Sequence, residues 1–400
     1  MDGAAELSMG VCIMKRVVFF MTFCFWVLFA GCMTNKETVS VLEEVKTEAV
    51  AAQPKEPERF QMPAKIRETG YAYTTLSSQD EQELYLQLYH ALYEGEMITL
   101  NAVTEEQLEQ VFFCVMADHP EVFYADGYQI QIYSRGEQIS KIEFCPSLTV
   151  ETEELEVLRR QIQETAAEWM KELTPAMDEY EKFRYLYEKV VLHTEYDIDA
   201  TNGQNIQSVF LTGRSVCQGY AKALQYLCLQ CNLECITVSG TANGTGHAWV
   251  LVKLDGDWYH ADPTWADAVY RSGQEEWLTA EAIPEICYDY FCVTDEEIGK
   301  THQLSDVISW PVCNAVDNQY YRREGLFIET ADLKKIQEIL DAAVEQGKEN
   351  ITFQCADDQV YEALVDALID KQRIFDLIPG NRVSYADSQI YRTLTFWLVD

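Results

Sequence analysis

Asp255-Gly256 is the point at which this chain has least freedom. His247-Ala-Trp-Val-Leu-Val-Lys-Leu254 precedes it and Asp257-Trp-Tyr-His-Ala-Asp262 follows it, both alternating with the period of a strand. An Asp-Gly pair between two such runs signals a two-residue hairpin turn, because both of its residues tolerate positive φ. In that register Leu254 faces Asp257, so Trp249 faces Asp262 and His247 faces Thr264. Residues two apart on a strand share a face, which makes His247 and Asp262 diagonal neighbours on one side of the sheet. A carboxylate there can orient the imidazole and hold its useful tautomer. A three-residue loop would place the two on opposite faces. His260 shares the face nearer the turn and ranks second as a base.

Upstream lies Gly213-Arg-Ser-Val-Cys217-Gln-Gly-Tyr-Ala. Ser215 reads as an N-cap, and Val216 to Leu229 carry Tyr220, Ala223, Leu224, Leu227 and Cys228 at helical spacing. Cys217 then falls in the first turn, where free N–H groups and the helix dipole favour a thiolate and can hold an oxyanion. Gly213 and Gly219 are expected to leave room for a substrate backbone. A second oxyanion donor is open among Gln204, Asn205, Gln207 and Tyr196. The bland alternative is a buried cysteine at a helix start.

These residues resemble the transglutaminase-like superfamily of bacterial cysteine-triad proteins. The resemblance rests on Gly213 to Ala221, Gly246-His247-Ala-Trp-Val and Trp258-Tyr-His-Ala-Asp262-Pro-Thr-Trp265, within a stretch of about residues 180–305. Tyr290-Phe291, Thr294-Asp295 and His302 resemble the segment that commonly follows, and Asp118-His-Pro-Glu-Val-Phe-Tyr124 resembles the domain that precedes it in Gram-positive members. The resemblance implies Cys217 as nucleophile, His247 as general base and Asp262 as its partner. It also implies an α+β fold with a papain/transglutaminase-like core: a helix bearing the cysteine, packed on an antiparallel sheet bearing the histidine and aspartate. The expected function is transglutaminase-like or peptidase-like acyl transfer or hydrolysis on protein or peptide amides, through a thioester and without a cofactor. The alternative is a catalytically silent surface binding or scaffolding module that keeps the fold.

The N-terminus bears on compartment. Lys15 and Arg16 precede an apolar run, Val17 to Ala30, too short to prefer spanning as a mature helix. It ends in Leu28-Phe-Ala-Gly-Cys32, which resembles a bacterial lipoprotein cleavage box with Phe29 where leucine is usual. Lipidation of Cys32 would anchor the chain to the cell membrane, facing outward. Residues 33–58 are polar, acidic and free of aromatics, so they read as a flexible tether. The expected organisation is a signal peptide at 1–32, the tether at 33–58, an α+β domain at 59–150, the transglutaminase-like domain at 151–312 and a small α+β domain at 313–400. The partners that follow are the membrane and a protein or peptide substrate, a cell-wall peptide among the candidates. A net charge of −36 argues against nucleic acid.

Other signals are weaker. Cys228, Cys231 and Cys235 would share a helical face if the helix persists, and no fourth ligand is nearby, so a core role is favoured over a metal. No calcium-loop pattern occurs, and no strand pattern leads into Gly213 as a serine-hydrolase elbow would need. His119 and His193 read as structural, and Trp249, Trp258 and Trp265 as core before cleft. Cys114, in an apolar helical run, reads as a small core residue.

Overall fold

The computed structural model describes residues 11–17, 67–101, 103–135, 138–267, 284–378 and 383–398. The lipoprotein-like box with Cys32 and the tether at 33–58 lie outside them. No helix of the described residues is long and apolar enough to cross a membrane.

The chain is α+β, with three four-stranded sheets built largely from antiparallel pairs. The first unit carries a short helix α1 (Tyr71–Thr74), then α2 (Gln79–Glu94) and α3 (Glu105–Asp118). Both longer helices open with full capping boxes, Ser78 with Glu81 and Thr104 with Gln107. The sheet beside them has the order β1 (Val11–Val17), β3 (Ala125–Arg135), β4 (Gln138–Leu148), β2 (Ile98–Leu100). β1 lies within the stretch read as signal peptide, so cleavage at Cys32 would leave β3 as the edge strand. Asp118, where the sequence signals a helix stop, is buried and accepts the N–H groups of Ala72 and Tyr73 at 2.9 Å each.

The central unit begins with α4 (Thr152–Met170) and α5 (Glu179–His193). Two short parallel strands, β5 (Glu195–Tyr196) and β6 (Arg214–Ser215), then deliver the chain to α6 (Cys217–Gln230). Packed against α6 is a sheet of order β10 (His302–Leu304), β7 (Glu234–Ala242), β8 (Thr245–Leu254), β9 (Asp257–Ala261). α3 leans over the same unit: Gln225 on α6 donates to the Ala117 carbonyl at 2.7 Å and accepts from the Thr237 hydroxyl at 2.7 Å. One continuous core therefore runs from Ala72 to Cys313, joining the first two domains assigned from sequence and the first residue of the third.

Residues Tyr321 to Phe396 hold a core of their own under the sheet β11 (Phe327–Ile328), β12 (Asn350–Cys355), β14 (Thr393–Trp397), β13 (Tyr385–Ser388). Its helices are Leu333–Glu345 and Asp358–Val365. This unit docks on α5. Glu324 takes Tyr180 at 2.9 Å and Arg184 at 2.7 Å, Arg323 pairs with Asp178, and Tyr320 stacks on Tyr288 at 3.6 Å.

The helix that bears Cys217 departs from expectation at its start. Val216, not Ser215, is the N-cap residue, and no side chain caps the turn. The Ser215 hydroxyl is buried instead among the Gly203 carbonyl at 2.8 Å and the Ser208 hydroxyl at 2.7 Å. Gly219 makes that approach possible: a Cβ there would stand 1.9 Å from Ser215 Oγ and 2.6 Å from the Gly203 carbonyl oxygen. The space it leaves is filled by this chain, not reserved for a substrate. Gly213 is likewise used by the backbone, at φ +67 behind the π-turn Ser208–Thr212. Gly219→Ala is expected to destabilise the protein by roughly 2 kcal/mol, overpacking outweighing the helix propensity gained. Denaturant unfolding checks this, and an unchanged midpoint would contradict it.

Candidate active site

The β8–β9 hairpin forms in the register expected from Asp255-Gly256. Leu254 pairs with Asp257 and Val250 with Ala261, and the two turn residues take φ +54 and +93. Past Ala261 the strand gives way to a short helix, α7 (Pro263–Ala266), so Asp262 leaves the ladder before reaching Trp249 and becomes the N-cap. Its Oδ1 accepts from the N–H groups of Thr264 at 2.9 Å and Trp265 at 3.1 Å. The other oxygen, Oδ2, lies 2.6 Å from His247 Nε2 and 3.0 Å from His302 Nε2. A carboxylate only accepts, so both rings present N–H there. The remaining nitrogen of His247, Nδ1, is not used by the carboxylate, and the Cys217 sulfur acts on the ring by charge and hydrogen bonding. Cys217, His247 and Asp262 are thus brought together in one cluster.

Electrostatics reinforce the geometry. Asp262 is wholly buried, which by itself would raise its pKa, but the His247 charge and the hydrogen bonds from His247 and His302 hold the carboxyl well below the usual range. Burial would likewise push His247 down, yet the Asp262 charge, the Cys217 sulfur and hydrogen bonds to both lift it to about 10. The imidazole therefore carries its second proton through the neutral range. Ten cysteines among the described residues are free thiols, and most are buried in apolar surroundings. Cys228, Cys231 and Cys235 are core residues of this kind, although α6 ends at Gln230 and Cys235 lies on β7, so the three do not share a helical face; Cys114 is fully buried.

His302 was only part of a resembling segment at the sequence level; the fold makes it the second partner of Asp262. β10 pairs with the far edge of β7, His302 opposite Ala242. Its Nδ1 meets Thr301 Oγ1 at 2.8 Å, and that hydroxyl meets Tyr391 Oη at 3.0 Å. The network thus runs from Cys217 into the C-terminal unit. Trp265 and Trp249 pack on the His302 ring at 4.8 and 5.0 Å between centroids, Trp249 fully buried as expected of a core aromatic.

His260 is not a second base. Its ring is buried, with Trp249 Nε1–H donating to Nδ1 at 2.9 Å and Nε2 on Asp295 Oδ1 at 2.8 Å. Burial outweighs the Asp295 carboxylate and lowers its pKa, so it ties β9 to the segment at Asp295 as a neutral ring. His119 is similarly committed, to Tyr85 at 3.0 Å and Glu121 at 2.8 Å. Two sets among the described residues bring metal-ligating atoms within 4.8 Å of one another: His247, Asp262, His302 and His260, Asp295, Cys313. In the first, both ring nitrogens nearest the carboxylate are spent as N–H donors to one oxygen. In the second, the Trp249 hydrogen bond occupies the lone pair of His260 Nδ1 and leaves the proton on Nε2.

Of the four residues open as oxyanion donor, Tyr196 is set apart. The β5–β6 pairing puts it opposite Ser215, two residues before the nucleophile. Burial, then the charges of Cys217 and Asp262, push its phenol up to about 12, so it keeps its proton to donate. Gln204 and Asn205 line a side cavity, and the Gln207 N–H is held by Asn205 at 2.9 Å. Cys217 and His247 open onto a cleft of about 520 Å³, walled by Ser239 and Gly246 on the core side and by Glu109 and Phe113 of α3 on the other.

Residues 167–263 match the family model of the transglutaminase-like superfamily, and the chain contains a transglutaminase-like domain. Kyphoscoliosis peptidase of Mus musculus is 28% identical over 114 residues, and its Homo sapiens counterpart 29% over 114 residues. Each alignment covers 24% of this chain and 17% of that protein, so the chain spans about a sixth of the curated relatives' length. Among solved structures, a TGase is similar at 16% identity and a TM-score of 0.25, covering 42% of this chain and 50% of that one. A putative cysteine protease from Cytophaga hutchinsonii is similar at 12% identity and a TM-score of 0.24, covering 42% and 64%.

Proposed function

We propose that this protein is a thiol acyl-transfer enzyme acting on protein or peptide amides. The observation that carries the reading is the cluster of Cys217, His247 and Asp262, hydrogen-bonded and buried at its carboxylate end and open to a cleft at its sulfur end. The Cys217 sulfur, having ceded its proton to His247, attacks the amide carbonyl. Negative charge on the carbonyl oxygen is met by the uncapped first turn of α6 and by the Tyr196 hydroxyl. The C–N bond then breaks as His247 passes its proton to the leaving nitrogen, and a thioester remains. Water or an amine gives a proton back to His247, attacks the thioester carbon and expels the sulfur. Asp262 keeps the ring oriented throughout and supports its charge.

The compartment forms part of the same proposal. Lys15-Arg16, the apolar run and the box at Cys32 support export and lipid anchoring, with the body outside the membrane and substrates among surface proteins or cell-wall peptides. Incubation with a labelled primary amine and a glutamine-rich peptide, following ammonia release and peptide cleavage together, tests the reaction. Amine incorporation marks transamidation, cleavage marks hydrolysis, and neither would favour the silent binding module. In whichever assay turns over, Tyr196→Phe is expected to lower kcat by about 10²–10³-fold, the cost of one oxyanion donor. An unchanged kcat would remove Tyr196 from that role.

A further inference from the structure

Lys222 is a buried cation with no partner among the described residues. It lies on α6 between Ala221 and Ala223, is 7% exposed, and lines both the main cleft and the side cavity of about 310 Å³ next to it. Among the described residues its three ammonium hydrogens meet no carboxylate or carbonyl within hydrogen-bond reach. Glu106 and Glu109 of α3 and Asp126 of β3 share those cavities, yet none pairs with it. Burial alone moves its ammonium, down to about 8. An unpaired buried charge is costly, and a chain of net charge −36 has many carboxylates that could have answered it. The place left open is the cleft itself.

We propose that Lys222 binds a free carboxylate of the acyl substrate. Position sets the distance. Five residues along a helix are about 7.5 Å of rise and about 140° of turn, and an extended peptide advances about 3.4 Å per residue, so the carboxylate would stand two or more residues from the scissile carbonyl. Gln218, one turn above Lys222 and also shared by both cavities, would lie alongside the intervening peptide. The substrate class is therefore a peptide amide with a carboxyl terminus or acidic side chain close to the bond attacked. This assignment rests on the acyl-transfer reading of Cys217.

Two alkylating reagents of equal length test it: bromoacetyl-β-alanine, which ends in a carboxylate, and its neutral amide. The second-order rate constant for modification of Cys217 is followed by mass spectrometry. The acid is expected to react at least about tenfold faster, against the repulsion of the acidic chain as a whole. Lys222→Met should bring the acid-to-amide ratio to about one or below, and Lys222→Arg should keep most of the preference. Lys222→Met removes an unpaired charge at similar volume, so it should melt no lower than the parent. Equal rates in the parent, or a preference unchanged in Lys222→Met, would overturn the carboxylate site. If both reagents react no faster with Cys217 than with a free-thiol peptide, the acyl-transfer reading fails. The acid-to-amide ratio still reports the cation, and its loss in Lys222→Met would then support the site on its own.

Discussion

Asp262→Asn is expected to lower turnover by about 10³–10⁴-fold while the protein still folds. Four N–H groups converge on this carboxylate, two backbone and two imidazole. An amide offers one accepting oxygen and one NH2, so it cannot satisfy both pairs. If the oxygen keeps the Thr264 and Trp265 N–H groups, the NH2 faces two imidazole N–H groups, and His247 must change tautomer or turn. A change of tautomer puts the proton on Nδ1, which then cannot accept from Cys217, and a turn of the ring takes Nδ1 away from it. Asp262→Ala should be worse for stability, by about 3–5 kcal/mol, because a buried imidazolium loses its counter-charge. Denaturant unfolding and kinetics on the two variants separate the effects. Near-parental turnover in Asp262→Asn would mean that His247 needs no orientation.

The second large effect is the dependence of stability on pH. His247 is lifted to about 10 in the folded protein, against about 6.5 for a free imidazole. Its contribution is complete below about pH 6.5 and declines as pH rises toward about 10, because the unfolded chain then binds fewer protons than the folded one. Asp262 works in the opposite direction: held below its ordinary value, it contributes above about pH 4 and is lost as pH falls through its folded pKa. The parent should therefore lose on the order of a few kcal/mol of unfolding free energy between pH 6.5 and 10 relative to His247→Gln, which has no such proton to release. Denaturation curves for both proteins across that range give the difference directly. Parallel curves would mean that the ring is neutral in the folded state.

What could be read from the chain was what is local. The Asp255-Gly256 turn fixes a ladder between adjacent runs, so the face shared by His247 and Asp262 followed from counting. α6 was legible from its apolar spacing, but its cap was not. The Ser215 hydroxyl bonds to Gly203 and Ser208, partners that become neighbours only once the loop between β5 and β6 has closed. His302 was hidden for the same reason: β10 lies across β7 and β8 from the strand that leads into Asp262, at a separation of 40 residues. Tyr391, a further 90 residues away in a unit with no chemical motif, touches the network through one hydroxyl. Nothing local in the sequence marks Lys222, because α3, from a different part of the chain, supplies cavity wall beside it. The short strands β11 and β13 carry too few residues to show a period.

The central claim is that Cys217 is held as a nucleophile by His247, and its rate of alkylation by iodoacetamide tests that most directly. A thiolate paired with imidazolium should react at least about tenfold faster than a free-thiol peptide at pH 7, because an ordinary thiol is only a few per cent ionised there. The excess should persist at pH 6 and disappear in His247→Gln. A parental rate equal to that of the free peptide, falling with it as pH is lowered, would show an ordinary buried thiol and contradict the assignment of this site.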